Sequence, residues 1–146
     1  MRLLTGLPMK LPPNIIDANV FLRFFLGDDE KQLIQAKAFF QKVEFDQEEA
    51  LLTEIVFAEV VWVLQKVYSI PRKDIADKLS KVIGYKGLKT IFSKEVFLES
   101  LKRYTDTATD IQDIFLASLS KHTNIVIITF DKTDFKKLNA KCSEPS

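Results

Sequence analysis

This chain of 146 residues predicts an α/β fold, a three-layer α/β/α sandwich with a central parallel sheet. Three observations carry that expectation. Short apolar, β-branched runs alternate with longer stretches of helical spacing, the pattern of strands and covering helices around a parallel sheet. Hydrophobic residues make up 47% and charged residues 28%, an ordinary globular balance. The length suffices for one core without disulfides or a structural metal.

Taken in order, residues 1–13 form an N-terminal extension, with Met9 as an alternative start to Met1. The domain proper covers 14–138, and 139–146 form a loose C-terminal tail. Asn14 to Phe21 begins as a short buried strand ending near Asp17, followed by a helical turn with Phe21, Leu22, Phe24 and Phe25. Lys31 to Val43 repeats Leu33, Ala36, Phe40 and Val43 at helical spacing. Thr53 can cap the helix from Glu54 to about Val67, which stops before Pro71. Arg72 opens the next helix, with Ile75, Leu79, Val82 and Ile83 on one face and Gly84 near its end. Leu88 to Phe92 reads as a strand, and Ser93 precedes a helix carrying Val96, Phe97 and Leu101. A helix over Asp110 to His122 leads to the clearest strand, Asn124 to Thr129, and Thr133 to Leu138 gives a turn or two of helix.

Bulk properties exclude little. The net charge of +1 yields no polyanion-binding field from the total, so basic residues for a nucleic acid must cluster locally, with Arg23, Arg72, Lys73 and Lys86 as candidates. The single cysteine, Cys142, can form no internal disulfide, which suits a reducing, cytoplasmic setting. No apolar run approaches the roughly 20 residues that cross a bilayer, so no membrane role is expected.

Chemistry concentrates in acids placed at the ends of apolar elements. Glu59 is the one charge in Ile55 to Leu64, a stretch otherwise wholly apolar, and a carboxylate buried there needs a partner. Asp17 ends Ile15-Ile16, Asp113 opens Ile114 to Ala117, and Asp131 follows Ile125 to Phe130. Asp17 and Asp131 fall at strand carboxyl ends, where open parallel sheets collect their sites. Each acid also has a plainer reading. Asp110 and Asp113 suit a cap and a first-turn acid, Asp17 and Asp131 suit turns, and Glu59 could pair with a buried lysine or reach the surface between helices. Taken together they suggest one acidic cluster. The only histidine, His122, ends a helix, so zinc is disfavoured and a carboxylate-rich site for Mg²⁺ or Mn²⁺ is favoured. Such a cluster suits phosphodiester hydrolysis. With four glycines there is neither a phosphate-cradling loop nor a dinucleotide fingerprint, and no nucleophile elbow is present.

Four segments, IIDANVFLRFF, TEIVFAEVVWVLQKVY, TDIQDIFLASLSKH and IVIITFDKTDFKKL, resemble in order and spacing the PIN-domain ribonucleases, and the chain is especially similar to the VapC-type toxins of toxin–antitoxin pairs. The resemblance covers about residues 14–138. It implies a PIN-like fold and a metal-dependent endoribonuclease with Mg²⁺ or Mn²⁺ held by Asp17, Glu59, Asp113 and Asp131. Asn19 and Thr129 match flanking polar positions, Asp110 matches an extra acid before the third motif, and Asp134 lies one helical turn from Asp131, both standing behind the ligands. The resemblance also implies an RNA substrate, a small antitoxin protein as partner and a homodimer. A catalytically silent PIN-fold module that only binds RNA or protein is the alternative. A phosphoacceptor receiver domain fits less well, because its acids are adjacent and these are dispersed.

Overall fold

Two-residue parallel ladders make up the β-structure among residues 10–146, the part of the chain that the computed structural model describes. The question of a start at Met1 or Met9, and most of the expected extension, lie outside the described residues. The α/β class with parallel strands is as the sequence predicts, and helices exceed strands because most apolar positions recur at helical spacing. The chain divides into two units, Met1–Lys94 and Glu95–Ser146.

In the first unit the order is β1 (Asn14–Ile15), α1 (Ala18–Leu26), α2 (Glu30–Glu44), β2 (Ala50–Leu51), α3 (Glu54–Lys66), α4 (Arg72–Ile83) and β3 (Leu88–Lys89). The three strands form one sheet in the order β1-β2-β3, with Ile15 opposite Leu51 and Leu51 opposite Lys89. Helix α1 packs on α2 and α3, and α3 packs on α4. Phe21, Phe40, Phe57, Leu64 and Leu79 are fully enclosed. Each such side chain contributes about 1.5–3 kcal/mol by leaving water. The Phe21 and Phe40 rings lie 5.2 Å apart, which pins α1 to α2.

Local chemistry fixes the helix ends. The Asp29 carboxylate accepts the Gln32 backbone N–H at 2.9 Å and starts α2, and the Thr53 hydroxyl accepts the Val56 N–H at 3.3 Å and starts α3. Both are the satisfied first-turn donors that an N-cap provides. Gly27 ends α1 at φ 62°, a left-handed conformation that glycine adopts without steric cost. Gly87 is required for another reason. Its N–H donates to the Val43 carbonyl at 2.8 Å and its carbonyl accepts the Ala50 N–H at 2.9 Å. A Cβ there would meet the Val43 carbonyl oxygen at 2.8 Å and the Glu48 carbonyl oxygen closer still.

In the second unit α5 (Lys94–Asp106, its first residue counted with the first unit) precedes α6 (Ile111–Thr123), β4 (Ile127–Ile128), α7 (Lys132–Lys137) and β5 (Cys142–Ser143). Strands β4 and β5 pair in parallel, Ile127 opposite Cys142. Phe97 of α5 meets Phe115 of α6 edge-on at 5.1 Å, beside the enclosed Tyr104. Asn124 closes α6 in the left-handed conformation at φ 59°. Glu99 of α5 accepts Lys121 Nζ at 2.6 Å and lies 3.1 Å from His122 Nε2, so the single histidine is engaged with that carboxylate.

Three expectations change. Only Ile127–Ile128 of the run Asn124 to Thr129 is strand, and Ile125 and Ile128 are exposed. The expected loose tail contains β5, because the turn after α7 brings Cys142 alongside Ile127. β1 is exposed rather than buried, since Ile16 rather than Ile15 points into the core. Among the described residues no helix is long and apolar enough to cross a membrane.

Gly87→Ala lowers stability by about 2 kcal/mol, since the Glu48 carbonyl is met too closely and the Val43 carbonyl cannot withdraw without losing the Gly87 and Asp46 N–H bonds it accepts. Chemical denaturation of the two proteins measures this as a lower midpoint with unchanged slope.

Candidate metal-binding acids

Asp17, Asp110 and Asp131 each stand at the N-cap of a helix, of α1, α6 and α7 respectively, yet none of their side chains accepts a capping hydrogen bond. The contrast with Asp29, which does cap, is informative. A capping aspartate commits an oxygen to a first-turn N–H. These three leave their carboxylates uncommitted to the helix and keep only the favourable field of its positive end. The plainer reading of Asp110 as a cap is therefore set aside. Asp113 lies in the first turn of α6 and is partly enclosed.

Within the second unit the acids act on one another. Burial first, then the charges of Asp110 and Asp134, push the Asp113 carboxyl above the usual range. Asp131 is pushed up by a side-chain hydrogen bond shared with Asp134, then by burial and by the charges of Asp134 and Asp113. Thr129 holds this arrangement from behind, its hydroxyl accepting the Asp131 N–H at 2.9 Å. Asp134 thus belongs with Asp113 and Asp131 more intimately than its place one helical turn further along suggested.

The first unit contributes differently. Asp17 is exposed at the entry to α1. Asn19, also exposed, borders a cavity of about 490 Å³ with Ile15, Val20, Arg23 and Phe39, and neither Asp17 nor Glu59 lines it. Arg23 is no free cation, because its Nη1 reaches both Asp28 oxygens at 2.7 and 2.6 Å. That bond and charge hold the Asp28 carboxyl below the usual range.

Glu59 is exposed, not buried, which corrects the premise that singled it out. Helix α3 buries Phe57, Val60, Val61 and Leu64 on one face and turns Ile55 (78% exposed) and Trp62 (49% exposed) outward with Glu59. Where nine of ten residues are apolar, no periodicity marks the inner face, so the sequence could not show which way Glu59 points. The acid with an enclosed, unpartnered oxygen is Glu54, in the first turn of α3. Sequence reasoning passed over it, because an acid just inside a helix start is what the dipole alone favours.

Among the described residues no group of three or more Asp, Glu, His or Cys side chains is placed to hold a metal ion. The donor chemistry nonetheless fits a hard divalent cation. Asp113, Asp131 and Asp134 carry only oxygen donors and repel one another, and a cation would relieve that repulsion.

The PIN-domain family model matches residues 15–141, nearly the whole described chain. The chain belongs to the PIN-domain family. PIN domains are generally nucleases and usually employ divalent metals, the same demand that the acids make on electrostatic grounds. No curated protein matches this one.

The raised carboxyls of this PIN domain set a pH dependence. A carboxyl whose folded value lies above its unfolded one binds its proton more tightly when folded, so it favours the fold at low pH. That contribution disappears as pH rises from the ordinary aspartate range through the raised values of Asp113 and Asp131. Asp134→Asn removes the main charge on Asp131, so in chelator the variant gains stability relative to wild type as pH rises through that window. Thermal midpoints measured across the acid range check it, and added Mg²⁺ narrows the difference by favouring the ionised wild-type cluster.

Proposed function

We propose that this PIN domain is a metal-dependent endoribonuclease that hydrolyses RNA phosphodiester bonds, with Asp17, Glu59, Asp113 and Asp131 as ligands of Mg²⁺ or Mn²⁺. The observation that carries the reading is the set of mutually repelling carboxylates at Asp113, Asp131 and Asp134 within a chain matched to the PIN family. A divalent cation held by such acids supplies charge neutralisation at the scissile phosphate and an activated water.

The protein's own residues do the rest. Asp17 and Asp131 enter at helix starts, where backbone direction is fixed and the carboxylate is not spent on capping. Thr129 fixes the backbone of Asp131 and so the origin of its side chain. Asp134 raises the proton affinity of Asp131 and would steady it as a neighbour of a bound cation. Asp110 adds negative field at Asp113, and Asn19 stands two residues beyond Asp17. The lone histidine is engaged with Glu99, which leaves proton transfer to carboxylates and water.

The resemblance to VapC-type proteins further supports a cytoplasmic toxin that dimerises and is silenced by a small antitoxin occluding the acids.

Asp17→Asn abolishes Mn²⁺-dependent cleavage of a structured RNA while leaving the thermal midpoint within a degree or two of wild type. Full cleavage by that variant contradicts the ligand assignment, and no cleavage by wild type with either metal favours a silent binding module. Thr129→Val, which removes only the acceptor of the Asp131 N–H, lowers cleavage about 10–100-fold, as expected for a group that orients a ligand. Initial rates at saturating Mn²⁺ measure it.

A further inference from the structure

The outer edge of the three-stranded sheet carries a charge feature that the acids do not explain. Among the described residues strand β3 is paired on one side only, by β2. Lys89 on that strand donates its Nζ to the Lys86 carbonyl at 3.1 Å, and Lys94, the first residue of α5, donates its Nζ to the Tyr85 carbonyl at 2.9 Å. Two ammonium groups are thus anchored on adjacent carbonyls of one turn, and the exposed Lys86 belongs to that same turn. None of the three forms an ion pair among the described residues. Glu44, whose charge is felt at the Tyr85 phenol, makes none with them either.

Most lysines of the described chain likewise lack an ion pair, Lys121 and Lys132 being matched to Glu99 and Glu144, and what sets these three apart is their convergence on one turn. Bringing like charges together without a counter-ion costs free energy, and Lys94 records that cost. Partial burial and the charge of Lys89 lower its affinity for a proton. Lysines on an edge strand also discourage strand-on-strand association. One charge on the strand serves that end, however, and Lys94 is on a helix.

We infer that Lys86, Lys89 and Lys94 form a phosphate-backbone contact for a single-stranded RNA, on the open edge of β3. The inference rests on the ribonuclease reading for its choice of polyanion. In the first unit β1 and β3 are separated by two strand spacings, about 10 Å. Asp17 follows the first of these strands, and the lysines border the second. An RNA lying across this edge would set phosphates beyond the cleaved bond on the ammonium groups. The Lys89 and Lys94 bonds to carbonyls pre-position two donors, so less side-chain freedom is lost on binding. The contact carries no base selectivity, because ammonium groups meet phosphates and not base edges.

The test separates binding from cleavage. Asp17→Asn protein is titrated with a fluorescently labelled single-stranded RNA in chelator over a range of salt concentrations. The same titration follows with Lys86→Gln, Lys89→Gln and Lys94→Gln combined in that background. A Lys37→Gln variant controls for net charge, and Lys86→Gln alone tests the patch without touching an anchored side chain. At about 0.7 per phosphate contact on a single strand, loss of three contacts flattens the dependence of log affinity on log salt by about 2. Lys86→Gln flattens it by a third of that, and Lys37→Gln leaves it unchanged. Slopes equal to the Lys37→Gln control, or no RNA binding by the Asp17→Asn protein, overturn the inference. If wild type cleaves RNA but the slopes do not change, the patch fails and the nuclease stands. If the slopes change but wild type does not cleave with metal, the nuclease reading fails and the patch stands.

Discussion

Carboxylates that lack a cation repel, and this one constraint governs the acidic part of the second unit. Asp113, Asp131 and Asp134 are brought together by two helix starts, with Asp110 adding to the field. Folding alone offers no reason for such a gathering, since it raises the free energy of the ionised state. The nearness of Asp134 raises the proton affinity of Asp131, and a divalent ion would relieve that repulsion. Stability of the fold and readiness for chemistry are therefore opposed at this place, as at many active sites.

Backbone architecture makes the arrangement possible. An aspartate at an N-cap has its backbone direction set by the first helical turn, but its side chain is free to cap or to turn away. Asp29 caps, whereas Asp17, Asp110 and Asp131 do not. The same residue type at the same helical position thus serves two ends, and what separates them is whether the carboxylate is consumed locally. Thr129 shows how a neighbour enforces the second outcome, since its hydroxyl takes the Asp131 N–H and fixes the turn before α7 begins.

Much of the fold was legible because periodicity is a strong signal where polar and apolar residues alternate. Helices α2 and α4 fall where their spacing places them, and Thr53 caps α3 as its chemistry suggests. Strands were less legible. A run such as Ile125 to Thr129 satisfies strand propensity over its whole length, yet only two residues find a partner, because pairing is decided by segments far away in sequence. Residues 142–143, polar and near the chain end, pair with it without any local hint. At the site, the positions of the aspartates at element ends were readable, since they fall where apolar runs stop. The orientation of Glu59 was not, because α3 is apolar on both faces. The bond between Asp131 and Asp134 was also beyond reach, because side chains three apart on a short helix can face each other or diverge.

The central claim is that these acids exist to hold a divalent cation. Mn²⁺ broadens the amide resonances of residues near its binding site, so titrating it into uniformly labelled protein at less than one equivalent tests the claim most directly. The account predicts early, saturable loss of the Asp17, Glu59, Asp113 and Asp131 signals, with Mg²⁺ competing. Broadening that starts at other acids, such as Glu48 and Glu49, or that spreads evenly without saturating, would contradict it.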